Sequence, residues 1–314
     1  MSEQKDRSKN PYTTSDNGHG DLSVLKGGLA IITGSASGIG FALAEAAVAH
    51  GMHPVIADVR QDAIDVAIDK LAARADQTGV DVMGCQVDVS DKASVNALAA
   101  ELKRRFPDRP ISLLACNAGT GSGGSVLQGS EDDWEFVYSV NLKGVLNCIR
   151  TFVPDMLKQN AAGSVMATAS QDGLCASASL YGVTKHACVA LMETLHGELQ
   201  GKLTSHVLCP NIVATNILAS ASYRPDRLGG PGEVSDRQKY IGEQFRKHGI
   251  PPSQCAGEVF DAMRDGTFYV MVEAEPDPEY VRLEVSTRMD SMLNGDRPFR
   301  PHSEWFKAVF SGSD

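Results

Sequence analysis

The sequence predicts an α/β fold in which a doubly wound parallel sheet of about seven strands carries helices on both faces. From residue 27, short apolar runs of strand length alternate with longer stretches whose apolar residues recur at helical spacing. That alternation is typical of right-handed βαβ crossovers onto a parallel sheet. No internal repeat or long linker interrupts it, which indicates one domain at 26–290, between a flexible N-terminal extension at 1–25 and a C-terminal tail at 291–314.

Six apolar runs before residue 210 have the length of strands, and a seventh lies nearer the C-terminus. The predicted strands are 29–33, 53–57, 80–87, 111–116, 164–168, 205–209 and 268–273. Helical periodicity follows each of the first five strands, at 41–50, 61–78, 92–106, 134–158 and 181–199. Residues 217–255 break the rhythm because they are longer and more polar than an ordinary connection. We interpret this insertion after the sixth strand as a lid over a ligand at the strands' carboxyl ends.

Composition excludes several classes of function. The formal net charge of −10 provides no basic surface for a nucleic acid. The longest apolar runs are far shorter than a membrane span, and the polar N-terminus lacks the apolar core of a signal peptide. The seven cysteines are scattered without a Cys-x-x-Cys pair, which disfavours a structural metal or a disulfide scaffold. We therefore expect a cytoplasmic protein with no nucleic-acid, membrane or metal partner.

A glycine-rich loop joins the first strand to the first helix. It runs Thr33-Gly34-Ser-Ala-Ser37-Gly38-Ile39-Gly40. Gly34 permits a sharp turn, Gly38 lets the backbone approach a pyrophosphate, and Gly40 allows close helix–sheet contact. The N–H groups at the helix start, around Ser37 and Ile39, favour phosphate. A purely structural turn would show the same glycines, so the prediction of a dinucleotide site rests on their place between strand and helix.

Asp58 ends the second predicted strand, where a carboxylate accepts hydrogen bonds from the ribose hydroxyls of an adenosine and repels a 2′-phosphate. This residue favours NAD over NADP, although a role as a cap of the following helix is the alternative. Arg60 lies two positions later and offers a positive charge to a 2′-phosphate, so NADP is not excluded.

Small and polar residues also follow the next two strands. Asp88 and Val89 lie at the end of the third strand, within reach of an adenine. Asn117-Ala118-Gly119 follows the fourth strand, where small side chains let a cofactor lie along the backbone. Taken singly, each is also compatible with ordinary turn chemistry at a strand end.

Tyr181 and Lys185 lie one helical turn apart and share a face, while the preceding strand delivers Ser170 to its carboxyl end. An isolated Tyr/Lys pair at this spacing is common on helix surfaces. Removal of a hydroxyl proton during hydride transfer requires a base, and an unperturbed tyrosine with a pKa of about 10 is a poor one. A neighbouring ammonium lowers that pKa, and a neutral hydroxyl such as that of Ser170 orients the substrate oxygen.

These motifs, taken in order, resemble those of the short-chain dehydrogenase/reductase family. The matching positions are 33–40, Asp58, 117–119, Asn141, Ser170, 181–185 and 210–215, so that the resemblance covers about residues 25–215. It implies a Rossmann-type fold, a nicotinamide cofactor and an Asn–Ser–Tyr–Lys tetrad.

The resemblance also implies a role for each tetrad residue. Tyr181 is the acid/base, Lys185 lowers its pKa and binds the ribose, and Ser170 holds the substrate oxygen. Asn141 supports a water that links Lys185 to solvent. The resemblance implies further cofactor contacts after the sixth strand, at Pro210, Val213 and Thr215. Of these, Thr215 is expected to contact the carboxamide of the nicotinamide.

Two positions depart from the family pattern. The usual Pro-Gly after the sixth strand is Pro210-Asn211. The serine lies eleven positions before Tyr181 (170 against 181) instead of the common thirteen, which would select Thr168. Because the sequence from Ser170 keeps the family's serine-x-x-glycine turn, we assign Ser170 and interpret Thr168 as the end of the strand. Ser177 and Ser179 are interpreted as loop or cap residues.

The function predicted is an NAD(P)-dependent oxidoreductase that interconverts a secondary alcohol and a ketone. The predicted lid contains the apolar or aromatic residues Tyr223, Leu228, Tyr240, Ile241 and Phe245. They favour a moderately bulky apolar or aromatic substrate. The alternative is that they only pack the lid against the core. The alternatives are a non-redox nucleotide-binding scaffold and a catalyst that uses the cofactor only as a template. The resemblance also implies a homodimer or homotetramer that pairs helices near 134–158 and 181–200.

Overall fold

A single seven-stranded parallel sheet forms the centre of the structure, a computed structural model. The structure describes residues 20–121, 124–177, 179–273, 280–302 and 309 of the 314-residue chain. The strands follow the spatial order β3-β2-β1-β4-β5-β6-β7. Their bounds are β1 Leu29–Thr33, β2 His53–Asp58, β3 Met83–Gln86, β4 Ile111–Cys116, β5 Ser164–Thr168, β6 Thr204–Pro210 and β7 Tyr269–Val272. The predicted doubly wound α/β fold is confirmed.

Helices cover both faces of this sheet. They are α1 Gly38–Ala49, α2 Gln61–Thr78, α3 Lys92–Arg105, α4 Glu131–Tyr138, α5 Gly144–Met156, α6 Leu180–Leu199, α7 Asp236–His248, α8 Pro252–Asp265 and α9 Tyr280–Asn294. One apolar core packs α3, α5 and α6 against the sheet, and the other packs α1, α2 and α8 against its opposite face. Because both faces are covered, β1, β2 and β5 are buried along their whole length.

The strand order places a topological switch point between β1 and β4. β1 pairs with both β2 and β4, and the chain leaves this pair in opposite directions. The connections therefore diverge above the carboxyl ends of β1 and β4, which opens a crevice there. The glycine loop predicted from the sequence lies at that crevice.

Two local features position the helices that carry the predicted tetrad. A π-helical turn at Ser139–Lys143 joins α4 to α5 and contains Asn141, whose side chain is fully buried. The hydroxyl of Ser179 accepts a hydrogen bond from the N–H of Gly182 and caps α6, in line with its interpretation as a cap residue.

The domain ends differ from those predicted. Residues 1–19 of the predicted extension lie outside the described residues, but Leu22–Leu25 form a 3-10 turn and Leu25 is buried. At the other end, α9 passes through the predicted boundary at residue 290. Leu25, Tyr280 and Val281 are buried, and this packing has no signature in local composition.

The predicted lid region forms two 3-10 turns, at Ile217–Tyr223 and Asp226–Leu228, followed by α7 and the start of α8. Within the described ranges, no helix is both long and apolar enough to cross a membrane. Among the same residues, no group of three or more His, Cys, Asp or Glu side chains is arranged to hold a metal ion. All seven cysteines are free.

Candidate active site

A cavity of about 650 Å³ opens at the carboxyl edge of the sheet. Its wall includes nearly all of the residues that the sequence predicted as catalytic or cofactor-binding. These wall residues are Gly34, Ser37, Gly38, Ile39, Asp58, Asp88, Val89, Asn117, Ala118, Gly119, Ser170, Tyr181, Lys185, Pro210, Val213 and Thr215. Gly40 and Asn141 are the two predicted residues that stand behind the wall.

The glycines of the first loop have the backbone conformation and clearance that a close ligand requires. Gly34 has a φ of +65°, and a Cβ built on it would lie 2.8 Å from the Cα of Ala118. A Cβ on Gly40 would overlap the carbonyl oxygen of Gly34. Gly38, with a φ of +57°, faces the methyl group of Thr215, which a Cβ would approach to 3.1 Å. Side chains at these positions would therefore strain or fill the loop.

The first turn of α1 fits the phosphates of a dinucleotide. No side chain of the described residues caps this helix, because the N-cap residue Ser37 makes no capping hydrogen bond. The N–H groups of Gly38 and Ile39, two residues that line the cavity, are therefore available to a ligand, with the positive end of the helix dipole behind them. The pyrophosphate of NAD(P) is the cofactor group that this donor set fits.

Asp58 is the acidic residue at the end of β2, and it is 6% exposed. Its carboxylate accepts hydrogen bonds from the N–H of Ala36 at 3.2 Å and from the Nε of Arg60 at 3.2 Å. Arg60 also donates to the hydroxyl of Ser37 at 3.2 Å and stacks on the ring of Tyr223, with its Cζ 4.7 Å from the centroid. Asp58 and Arg60 both line the cavity, and the positive charge of Arg60 is paired there with the negative charge of Asp58.

Asp88 lines the cavity but is already bonded. One carboxylate oxygen accepts from the N–H of Ser90 at 3.0 Å, and the other accepts from the guanidinium of Arg227 at 2.6 Å. Arg224 makes a similar ion pair with Asp133 at 2.9 Å. The two arginines tie the segment after β6 to the β3 and β4 side of the cavity, a closure that the sequence did not predict.

A hydrogen-bond network holds the loop after β4. The hydroxyl of Thr33 accepts from the N–H groups of Asn117 and Ala118, both at 3.0 Å. The Thr168 hydroxyl donates to the side-chain oxygen of Asn117 at 2.9 Å. Thr168 ends β5, as the sequence interpretation expects, and its hydroxyl is engaged by the loop after β4.

Ser170 begins a 3-10 turn, Gln171–Gly173, directly after β5. Its hydroxyl accepts from the N–H of Asp172 at 3.1 Å. The turn packs on α6 so closely that a Cβ on Gly173 would lie 2.7 Å from the carbonyl oxygen of Lys185. The glycine is thus required by a close approach of two backbones, and that approach brings Ser170 beside Tyr181.

Lys185 is 2% exposed and donates from its Nζ to the carbonyl oxygen of Thr168 at 2.7 Å. Among the described residues it forms no ion pair with a carboxylate, and burial lowers its pKa. Its ammonium lies 5.4 Å from the ring centroid of Tyr181. Burial of a cation without an anion is costly, and perturbed groups of this kind concentrate at functional sites.

Burial raises the pKa of Tyr181 well above its usual range. A hydrogen bond with the Ser170 hydroxyl lowers it by less, and the charge of Asp172 adds to the rise. The sequence interpretation expected a neighbouring positive charge to lower this pKa. In the protein by itself, desolvation of the phenolate outweighs the stabilising contacts, so Tyr181 is a protonated phenol at neutral pH.

Asn141 acts on the loop that borders the cavity. Its side-chain oxygen accepts from the N–H of Thr120 at 2.8 Å, and its amide nitrogen donates to the carbonyl of Thr120 at 3.0 Å and to the hydroxyl of Thr184 at 3.2 Å. The π-helical turn thereby links the loop after β4 to α6. Such turns are frequent at functional sites.

Asn211 replaces the glycine of the usual Pro-Gly. Its N–H donates to the carbonyl of Val272 at 2.9 Å, and its side-chain oxygen accepts from the N–H of Ile212 at 2.7 Å. Among the described non-glycine residues, positive φ occurs at Gln200 and not at Asn211. The backbone after β6 therefore does not need a glycine here.

Comparison with known proteins decides the family. The model of the short chain dehydrogenase family matches residues 28–225, which is more than half of the chain. This chain belongs to the short-chain dehydrogenase/reductase family. It is accordingly an NAD(P)-dependent oxidoreductase that acts on CH–OH groups of small molecules.

Individual members of the family resemble the chain over most of its length. A C alpha-dehydrogenase from a Sphingobium species is 29% identical over 280 residues, 88% of this chain and 88% of the relative. A 1-deoxy-11-beta-hydroxypentalenate dehydrogenase from Streptomyces avermitilis is 33% identical over 256 residues, 80% of this chain and 86% of the relative. The crystal structure of a short-chain dehydrogenase/reductase from Burkholderia phymatum in complex with NAD has a TM-score of 0.79 at 33% identity, covering 89% of this chain and 99% of that chain.

In this short-chain dehydrogenase/reductase, sequence reasoning missed residues that tie the segment after β6 in place and a residue of the cavity wall. The first is the set of arginines, Arg224 and Arg227, that tie the segment after β6 in place. The second is Arg300, which lines the cavity from the region interpreted as a tail. Their partners lie far away along the chain, so no local spacing or periodicity signals the contact.

Separate substitutions at Ser170 and Thr168 distinguish the two candidate hydroxyls. We expect Ser170→Ala to lower kcat by about 100-fold or more, the range for loss of one donor to a developing oxyanion. Thr168→Val removes a hydroxyl that bonds to Asn117 and should leave kcat within about tenfold. Steady-state kinetics of both variants check this expectation, and a larger loss from Thr168→Val than from Ser170→Ala would contradict the assignment.

Proposed function

We propose that the enzyme interconverts a secondary alcohol and a ketone, with Tyr181 as the acid/base, Ser170 on the substrate oxygen and NAD as the preferred cofactor. The observation that carries this proposal is the buried ammonium of Lys185, which faces the ring of Tyr181 without a carboxylate partner among the described residues. An ammonium near the ring favours the phenolate form of the tyrosine, which the proposed acid/base role requires. Family membership supports the same chemistry.

The residues divide the chemistry of alcohol oxidation among them. Ser170 donates its hydroxyl hydrogen to the substrate oxygen, which orients the carbinol carbon. Tyr181 in its ionised form takes the hydroxyl proton, and the positive charge of Lys185 stabilises that ionised form. When bound, the nicotinamide accepts the hydrogen of the carbinol carbon together with two electrons. In ketone reduction, Tyr181 starts as the protonated phenol and gives its proton to the oxygen.

NAD preference follows from the charge at the end of β2. The buried carboxylate of Asp58 lies on the cavity wall and would repel a 2′-phosphate, while the guanidinium of Arg60 is already paired with it. The resemblance to a family structure described in complex with NAD supports this assignment.

The substrate we propose is moderately bulky and apolar or aromatic. Apolar side chains form part of the cavity wall, at Phe136, Val140, Ile217, Leu218, Ile241 and Phe245. Of the lid residues predicted to face a ligand, Tyr223, Ile241 and Phe245 line the cavity, whereas Leu228 is buried in packing. The segment after β6 thus supplies both the wall and the closing contacts expected of a lid.

Two further proposals concern the surroundings of the enzyme. A cytoplasmic location is supported by seven free cysteines, of which six are buried.

A homodimer or homotetramer is supported by exposed apolar residues near the helices predicted to pair, at Tyr138, Leu157 and Val183. Sedimentation velocity at micromolar concentration tests this assembly, and a monomer there would contradict it.

A panel of aryl and aliphatic secondary alcohols with NAD tests the reaction itself. We expect NADH to form, seen as absorbance at 340 nm, with faster turnover of bulky apolar members. Tyr181→Phe should lower kcat by about 100- to 10,000-fold, because it removes the proton carrier, while NAD affinity stays within about threefold. Product formation without any change at 340 nm would point instead to a cofactor-templated rearrangement.

Cofactor preference is tested at Asp58. Asp58→Ser removes the negative charge and frees Arg60, so the ratio of kcat/KM for NADP to that for NAD should rise by at least about tenfold, equivalent to about 1.4 kcal/mol. The added substitution Arg60→Ala should reverse most of that gain. An unchanged ratio in Asp58→Ser would show that this carboxylate does not select the cofactor.

A further inference from the structure

The chain after α9 turns back onto the active site. The hydroxyl of Tyr280, at the start of α9, donates to the carbonyl oxygen of Pro301 at 2.9 Å. Tyr280 is 4% exposed, so this bond anchors the segment firmly on the domain. The anchor brings the neighbouring Arg300 to the cavity wall beside the turn that follows β5.

Arg300 is the centre of a polar cluster that joins α9 to this turn. Its Nη1 donates to the carboxylate of Asp172 at 2.6 Å, and its Nε donates to the carboxylate of Glu284 at 2.8 Å. The second oxygen of Glu284 accepts a hydrogen bond from the side-chain amide of Gln171. A separate bond runs from the guanidinium of Arg288 to the carbonyl oxygen of Leu174 at 3.0 Å.

Burial makes the cluster rigid. The side chain of Glu284 is fully buried and that of Arg300 is 20% exposed. The two carboxylates hold the pKa of Arg300 above its ordinary value even though burial opposes this. Removal of one partner from a buried pair strands the other charge, so the geometry is strongly enforced. Arginine bridges two acceptors with a planar fork, which fixes their relative positions.

The cluster acts on the two residues that follow Ser170. Gln171 and Asp172 are its contacts on the turn, and the N–H of Asp172 donates to the Ser170 hydroxyl oxygen at 3.1 Å. On its other side the turn rests against α6 at Gly173. The turn is therefore held between α6, which carries Tyr181, and α9 with its following segment.

We propose that Arg300 is a positioning residue for Ser170, and that the C-terminal segment thereby belongs to the catalytic machinery. This inference rests on the proposed role of Ser170. With Arg300 in place, the turn presents the serine hydroxyl at a fixed distance from Tyr181. Small misplacement of such a group lowers turnover sharply, because the hydrogen bond must meet the substrate oxygen in its reacting geometry.

A direct role for Arg300 in binding an anionic substrate fits the structure less well. Arg300 carries one positive charge, whereas Asp172 and Glu284 together carry two negative charges, so the cluster has a net charge of −1. An anion approaching this part of the wall meets repulsion. Arg300 instead forms ion pairs with Asp172 of the turn and Glu284 of α9, and these pairs hold the C-terminal segment against the turn.

A double-mutant cycle of Arg300→Met with Ser170→Ala tests the proposal. Arg300→Met should lower kcat by about 10- to 100-fold, since a displaced donor loses part of its contribution, while the dissociation constant of NAD stays within about twofold. In the Ser170→Ala background the same substitution should change kcat by less than about twofold, because it acts through the missing hydroxyl. Multiplicative losses, or an unchanged kcat in the single variant, would overturn the proposal.

Three further variants provide controls. Arg300→Lys keeps the positive charge but loses the planar guanidinium that bridges two carboxylates. Its kcat should therefore lie between those of Arg300→Met and the parent. Arg297→Met makes the same chemical change at an exposed position nearby and should behave as the parent. If Arg300→Met does not fold because Glu284 is stranded, Arg300→Met with Glu284→Gln removes the buried charge and repeats the test.

Hydrogen–deuterium exchange separates this inference from the proposed reaction. Exchange in peptides that cover 168–176 should speed up in Arg300→Met and remain at the parental rate in Arg297→Met. The comparison holds even if no substrate in the alcohol panel is turned over, a result that would reject the reaction but not the positioning. Unchanged exchange in 168–176 would reject the positioning itself.

Discussion

The hydrogen bond from the buried ammonium of Lys185 to the carbonyl oxygen of Thr168, 2.7 Å long, is the interaction on which the rest of the site depends. It joins α6 to the end of β5 and so fixes Tyr181 relative to Ser170. A charged group in this position costs free energy unless polar groups surround it. The fold supplies a strand-end carbonyl, and Gly119 leaves room beside the ammonium, since a Cβ on it would lie 3.4 Å from the Nζ of Lys185.

Tyr181 shows how burial and charge oppose each other. Desolvation raises the pKa of the phenol, and the hydrogen bond with the Ser170 hydroxyl offsets only part of this rise. A nearby positive charge favours ionisation, and in the proposed mechanism Lys185 supplies one such charge. We propose that Tyr181 acts as the acid in ketone reduction and becomes a base only with positive charge bound beside it.

Most of the fold was predictable because it depends on local periodicity. Three features are local patterns: the alternation of strands and helices, the glycine loop, and the Tyr181–Lys185 spacing. The alternation produces the observed sheet, and the glycine loop and the Tyr181–Lys185 pair both lie at the cavity at its carboxyl edge. The family motifs added Asn141 and the segment from Pro210 to Thr215. The pKa of Tyr181 was not predictable, since it depends on how deeply α6 packs, which no spacing records.

The contacts missed from the sequence join distant segments. Arg227 meets Asp88, and Arg300 meets Asp172 and Glu284, in each case across a gap that only tertiary packing closes. Polar residues in a region without periodicity look like an ordinary solvated surface. Contacts of this kind therefore leave no local sign in the sequence.

The central claim is that charge near Tyr181 determines its protonation. Carbon-13 NMR of tyrosines labelled at Cζ, with the Tyr181 signal assigned by its loss in Tyr181→Phe, measures this pKa directly. Without cofactor the account predicts ionisation well above the ordinary value of about 10, and a pKa lower by at least about one unit when NAD⁺ is bound. A Tyr181 that ionises near 10 in the free enzyme, or whose pKa does not respond to NAD⁺, would contradict the account.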